Sequence, residues 1–538
     1  MLFRLVFFVS AGLAAQHTHS TETQGRGAAQ ALPAAGAYSF RIATNVTAAQ
    51  QFFDAGLAMI YGFNHDEAQR LFLRAAELDA RSPMPHWGIA LSLGSHINNE
   101  PEAAREQKAW SAIAKARSLA ADAPAHEQRY VAALAVRYSP DPKQDRKQLA
   151  RNYAASMAAL HRDFPDDPDA ATLYAESLMN LNPWKFWTAG GQPAEGTLEF
   201  VGVLEEVLRR WPDHPGANHY YIHAVEASPN PERALASANR LGALVPAAGH
   251  LVHMPSHIYA RLGHWEPAAS SNAAAVAADR AYLQGKPADG LYPLMYYPHN
   301  IHFLLYAEAA QGRCQEASKA GEELVRQVAP ALDSMPMLQG FIAYHYQLSV
   351  WCPSVPLPAA PAAKFALSKM AYEFAKGTRE TWANNLPAAR ASLVALRAAA
   401  RKVDPATIYE PGYTAAYLTL AESALEARLA AAESQFDRAA THWRRAVAAQ
   451  DSLRYDEPPI WFYQVRQSLG AVLLRAGQPA EAEYILREAL RLQARDGRTL
   501  FLLWKAVAAQ GRDRDAALIE TEFRSAWRGA APPKVEEL

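Results

Sequence analysis

The chain has 538 residues, half of them hydrophobic and a fifth charged, a composition that excludes a disordered protein. That length exceeds one ordinary core unless the chain is an array of repeats. Lysine plus arginine (53) nearly cancels aspartate plus glutamate (54), and a net charge of -1 argues against nucleic acid or an anionic membrane as partner, since either needs a basic face.

The first residues, MLFRLVFFVSAGLAA, read as a secretory signal over 1–15. Arg4 supplies the positive start, Leu5 to Leu13 an apolar core too short to span a bilayer, and Ala14 and Ala15 a small-residue exit. The expected location is periplasmic or secreted, with no membrane insertion after cleavage. Residues 16–47 read as a linker, being small and polar over most of their length. Cys314 and Cys352 are the only thiols, too few for a thiolate cluster or a zinc ribbon. Their spacing leaves open whether they pair.

From residue 48 onward, alanine-rich stretches with few β-branched runs predict helix almost throughout. A 34-residue period runs through them. FFDAGLAMIYGFNHDEAQRLFLRAAELD carries Gly56, Ala68, Phe72 and Ala75 at the expected offsets. IYARLGHWEPAASSNAAA supplies Gly263, Trp265, Ala268 and Ala275, and QSLGAVLLRAGQPAEAEYILREAL supplies Gly470, Gly477, Ala482 and Ala489. Weaker copies fall near Gly312, Leu386, Phe436 and Gly511. Between about 100 and 214 the phase is lost, although apolar helical periodicity continues.

On these landmarks residues 48–528 resemble tetratricopeptide-repeat proteins, with 529–538 a tail. WGIALSLG, HPGANHYYIHAVEAS, HLVHMPSHIY and YYPHNIHFL narrow the resemblance to exported bacterial tetratricopeptide proteins of poorly defined function. The resemblance implies an all-α solenoid of tetratricopeptide-type helical hairpins with a concave groove. It implies no reaction.

The repeats over 215–316 carry the chemistry. With each repeat numbered so that the small alanine of its second helix is position 20, Ala234, Ala268 and Ala317 place the starts at Pro215, Gly249 and Pro298. His219, His253 and His302 then fall at position 5, His223 and His257 at position 9, His250 and His299 at position 2, and Glu226 at position 12. Offsets of three and four put all of them on one face of the first helix. The resemblance implies that this face lines the groove, without packing between helices. Residues 215–302 are 88 of 538, yet they hold 8 of the 18 histidines.

Imidazoles at i and i+4 can turn to one ion, and an adjacent repeat brings a second pair. The spacing predicts that His219, His223, His253, His257 and His302 converge, with His250 and His299 at the edge or in a second site. An imidazole set with little carboxylate suits a transition metal, copper in preference to zinc or iron, and not calcium or magnesium. Glu226 is the candidate general base, or else a carboxylate that orients ligands. These residues favour a metal-dependent enzyme, an oxidase or hydrolase acting on a small molecule or peptide in the groove. A metal-free scaffold that binds a peptide or partner protein there, and a metal store, are the alternatives.

Pro255 breaks the helical pattern between two of these histidines, as prolines beside functional sites do. Trp184, Trp187, His96, Asn98 and Asn99 are candidates to cap the groove, with packing and turn formation as their commoner role.

Overall fold

A 34-residue period requires each repeat to bury its apolar stripe on the next, because one helical hairpin cannot cover its own. The computed structural model describes residues 32, 36–287, 290–405 and 411–538, and it shows this architecture. The signal segment 1–15 and most of the expected linker lie outside the described residues. The chain is an all-α solenoid of tetratricopeptide-type hairpins. Among the described residues there is no strand, only the isolated bridges His96 to Asn99 and Trp187 to Pro193.

Thr47–Tyr61 and His65–Leu78 form the first hairpin, and Gly497–Ala508 with Asp513–Ala526 the last. Small residues allow the close approach within and between hairpins. A Cβ on Gly56 or Gly88 would meet the Phe72 ring at 2.6 Å, and one on Gly470 would meet Leu486 at 2.7 Å. The turn between paired helices places one residue in the left-handed region, at Gly263, Gly312, Gly477 and Gly511. The first hairpin uses Phe63 at that position, with φ 54°.

Two expectations change. Hairpins continue through 100–214, as Ala125–Ala135 against Arg146–Asp163 and Pro168–Met179 against Thr197–Arg210. The period disappears there because connections such as 180–196 are longer. Residues 38–43, expected to be linker, are packed: Phe40 and Ile42 are buried, and the Tyr38 hydroxyl donates to Asp169 Oδ1 at 2.5 Å.

The array also folds back on its centre. Near the start, Tyr282 and Lys286 reach Glu67, at 3.4 and 3.1 Å. Near the end, the buried Arg498 guanidinium donates to Ala309 O at 2.7 Å and Trp351 O at 2.8 Å, and Trp265 Nε1 donates to Arg495 O at 3.2 Å. Cys314 and Cys352 form a disulfide with Cα atoms 5.6 Å apart. Both ends therefore lean on the histidine-bearing repeats, and the segment 452–465 enters the groove, where Phe462 stacks on Tyr344 at 4.5 Å.

Candidate metal centre

Six histidines come from three first helices: Pro215–Val225, a helix broken into Gly249–His253 and Pro255–Arg261, and Tyr297–Ala310. The break falls at Pro255, between His253 and His257, where the His257 amide bonds back to Met254 O at 3.2 Å. The six imidazoles are at most 3% exposed. They form two triads, His219 with His223 and His250, and His253 with His257 and His299. Within each, one potential ligand atom per residue lies within 4.8 Å of the others.

The two triads follow one rule. Each combines positions 5 and 9 of one repeat with position 2 of the next. Tetratricopeptide stacking brings the start of each first helix beside the middle of the preceding one, so His250 meets His219 at 5.0 Å and His299 meets His253 at 4.6 Å between ring centroids. A single five-histidine cluster is therefore not what forms. His250 and His299 complete the triads, and His302 leaves them. The third repeat has Tyr306 at position 9, so His302 has no imidazole four residues further along its helix. Its ring lies instead 3.8 Å from Tyr344 and 6.1 Å from Phe462.

The hydrogen bonds fix the tautomers. His219 Nδ1 donates to Tyr61 O at 2.5 Å, one of the carbonyls left over at a helix C-terminus. His223 Nδ1 donates to Glu226 Oε1 at 2.7 Å, and His257 Nδ1 donates to Glu226 Oε2 at 2.5 Å. His253 Nδ1 donates to Asn272 Oδ1 at 2.7 Å, and Asn272 Nδ2 gives its own proton to Ala268 O, which settles which end of the amide faces the ring. Four imidazoles thus carry the proton on Nδ1 and turn a bare Nε2 inward. His219 Nε2 and His223 Nε2 are buried without a hydrogen-bond partner. His253 Nε2 and His257 Nε2 face each other at 2.8 Å. Two lone pairs at that distance repel unless a proton or a metal ion lies between them. This arrangement, with one ring nitrogen held and the other presented, is how ligating histidines are oriented.

Burial would raise the Glu226 carboxyl, but the attraction of His257 and His223 and the bonds they donate outweigh it and hold the group well below the usual carboxylate range. Glu226 is thus a carboxylate with both oxygens committed, one to each triad. Both bonds are of the kind by which a carboxylate orients imidazoles, the second of the two roles expected for Glu226. Burial, reinforced by neighbouring imidazoles, lowers His219, His250, His253 and His299 well below the ordinary histidine value. Neutral imidazole is the form that binds a metal.

Aromatic rings close the site. Phe63 lies 4.6 Å from His219 and 5.6 Å from His250, and Phe303 lies 5.2 Å from His253 and 5.1 Å from His257. Trp184 meets His223 edge-on at 5.1 Å, and Tyr296 meets His250 at 4.9 Å. Of the candidate caps, Trp184 touches a triad histidine, His96 stacks on Phe63 at 4.8 Å, and Asn98 Nδ2 donates to the Tyr296 hydroxyl at 3.3 Å. Asn99 is bridged to His96, and Trp187 donates to Ala224 O. The half-exposed Tyr455, whose hydroxyl is 3.3 Å from Glu226 Oε2, reaches the centre from the 452–465 segment.

Sequence reading missed Phe63, Asn272 and Tyr455. Phe63 carries a signal, since four other turns have glycine at that place and two have the small polar Asn384 and Ser434, and a bulky residue in the left-handed region is a strained choice. Asn272 and Tyr455 lie on other elements and carry none.

No family model and no curated protein matches the chain. Among solved structures it is similar to the human IFIT1 dimer with PPP-AAAA, at 13% identity and TM-score 0.33, covering 90% of this chain and 91% of that one. It is also similar to yeast Tom70, at 12% identity and TM-score 0.31, covering 88% and 92%. A third similar structure is the APC/C hetero-tetramer Cut9-Hcn1, at 12% identity and TM-score 0.27, covering 91% and 74%. Likenesses this distant say nothing about what this chain binds.

Proposed function

We propose that this chain is a metal-dependent enzyme whose solenoid holds two transition-metal ions, one per triad, with copper favoured over zinc and iron. The observation that carries the reading is the pair of bare Nε2 atoms of His253 and His257, 2.8 Å apart, each with its Nδ1 proton committed elsewhere. Copper is favoured because the ligands are all imidazole and copper tops the affinity order. A disulfide and a signal-like N-terminal sequence support an exported protein that meets the metal outside a reducing cytosol. Oxidation is favoured over hydrolysis because Glu226, the carboxylate bonded to the centre, is fully engaged by His223 and His257. The groove is filled by the 452–465 segment and braced from both ends, which suits a small molecule better than a long peptide.

Elemental analysis of protein purified without a histidine tag tests the proposal. We expect two equivalents of metal per chain. A folded protein that neither carries metal nor takes up added Cu²⁺ or Zn²⁺ would overturn it. The burial of all six imidazoles favours one second reading, a metal carrier. A carrier gives up its ions to a chelator or acceptor and shows no turnover, whereas the enzyme retains them through cycles of oxygen consumption.

A further inference from the structure

Glu226 links one histidine of each triad through their side chains. A second buried carboxylate, Asp279 on the helix Trp265–Leu283, has the corresponding relation to the position-2 histidines, through the backbone. Its Oδ1 accepts the Tyr292 hydroxyl at 2.7 Å, and that hydroxyl in turn accepts the His250 amide at 3.3 Å. Its Oδ2 accepts Asn300 Nδ2 at 2.6 Å, and Asn300 directly follows His299. The His250 amide lies at the start of the Gly249–His253 helix, where amides have no partner within the helix, so Tyr292 supplies the missing acceptor. Tyr292 begins a turn of π-helix, Tyr292–Tyr296, that leads into the helix bearing His299. Such turns recur at functional sites because they re-aim the residues that follow.

The carboxylate occupies space that only glycine leaves. A Cβ on residue 249 would lie 1.9 Å from Asp279 Oδ1, so Asp279 in this place requires glycine at 249. Asp279 is fully buried, and among the described residues no ion pair holds it: its bonds to Tyr292 and Asn300 define where it sits.

We infer that Asp279 is a positioning residue for both metal sites: through Tyr292 it sets the backbone of His250 in one triad, and through Asn300 that of His299 in the other. This rests on the reading of the triads as metal sites. It adds that the sites share a second carboxylate, which acts on the ligands through their backbone and which a search for ligand spacing would not find.

The experiment titrates the full chain with Zn²⁺, and with Co²⁺ to read the visible absorption of each site. The unaltered protein should bind two ions. Tyr292→Phe removes the bridge to His250 and leaves the Asn300 bond to Asp279 Oδ2 in place, so the His219, His223 and His250 site should weaken about tenfold or more, and more than the other site. Asp279→Asn keeps one acceptor oxygen and turns an NH2 group on either Asn300 or Tyr292, so it should weaken at least one site by a similar factor. Asp279→Asn combined with Asn300→Asp restores a matched donor and acceptor and should recover most of that loss, which a merely packed residue would not do. Failure of the unaltered chain to bind either ion would overturn the metal reading and the inference with it. Two ions bound with unchanged affinity in Asp279→Asn, or Tyr292→Phe weakening both sites equally, would overturn the inference alone. If Asp279→Asn does not fold, the double variant and Tyr292→Phe decide.

Discussion

Glu226 gives one oxygen to each of two imidazole donors, and the Tyr455 hydroxyl adds a third donor at Oε2. Replacing it with glutamine swaps one acceptor for an amide that can only donate. One of His223 and His257 must then move its proton to Nε2, which removes a lone pair from a triad. Glu226→Gln should therefore weaken metal binding about 10–100-fold in at least one site, measured by calorimetric titration with Zn²⁺. Unchanged affinity at both sites would show that the carboxylate does not set the tautomers. The histidines themselves are less simple to remove than groove residues were expected to be. They pack against Phe63 and Phe303, so His253→Ala also leaves Asn272 Oδ1 unpaired, at about 1–3 kcal/mol in the metal-free protein. Loss of stability in that variant thus does not argue against ligation. Acid provides a further test. Burial depresses His219, His223, His250, His253, His299 and His302, so the unfolded chain takes up protons near pH 6.5 that the folded one refuses. Their contribution is present above about pH 6.5 and lost as pH falls below it, at up to about 1.4 kcal/mol per unit for each. Denaturant midpoints of the metal-free protein measured from pH 7.5 down to 5 should fall steeply. A flat profile would mean that the imidazoles are accessible to protons in the folded state.

At the scale of the helix, Pro255 splits one first helix between two residues of the same triad, and only this repeat has a proline at that position. Pro255→Ala permits the missing backbone bond and a continuous helix, so the metal-free protein should melt higher. The same change rotates His253 relative to His257 and should weaken the triad they share with His299, about tenfold or more by metal titration. Equal or tighter binding would show that the break does not serve the site. This scale also marks how far the sequence could be read. The 34-residue period and the small residues at Gly56 and Gly470 specify hairpins, and offsets of three and four place seven histidines on one face. What periodicity within a repeat does not carry is the stagger between repeats. That stagger pairs position 2 with position 5 of the preceding helix, which admits His250 and His299 and strands His302 against Tyr344. The residues that orient the ligands come from other elements again. Asn272 lies on a second helix and Tyr61 offers a backbone carbonyl, and neither follows a rule of spacing.

An open solenoid is nearly one-dimensional, and a ligand bound in two or three repeats stabilises those repeats and little else. This molecule differs because both ends are tied to its middle. Lys286 reaches Glu67 in the first hairpin, while Arg498 near the end donates to Ala309 and Trp351. The two histidine triads lie between these ties, so the binding energy of metal held in them would be shared across the array. At a free metal concentration a thousand times the dissociation constant, one site adds about 4 kcal/mol to whatever unit unfolds with it. Scanning calorimetry should accordingly show one transition that moves upward as a whole when metal is added. Arg498→Met removes the tie at the far end and leaves the Trp351 carbonyl without its donor, at about 1–3 kcal/mol. In that variant the C-terminal hairpins should melt ahead of the rest, and metal should shift only the later transition. Two transitions in the unaltered protein, with metal moving just one of them, would show that the ends do not bear on the centre.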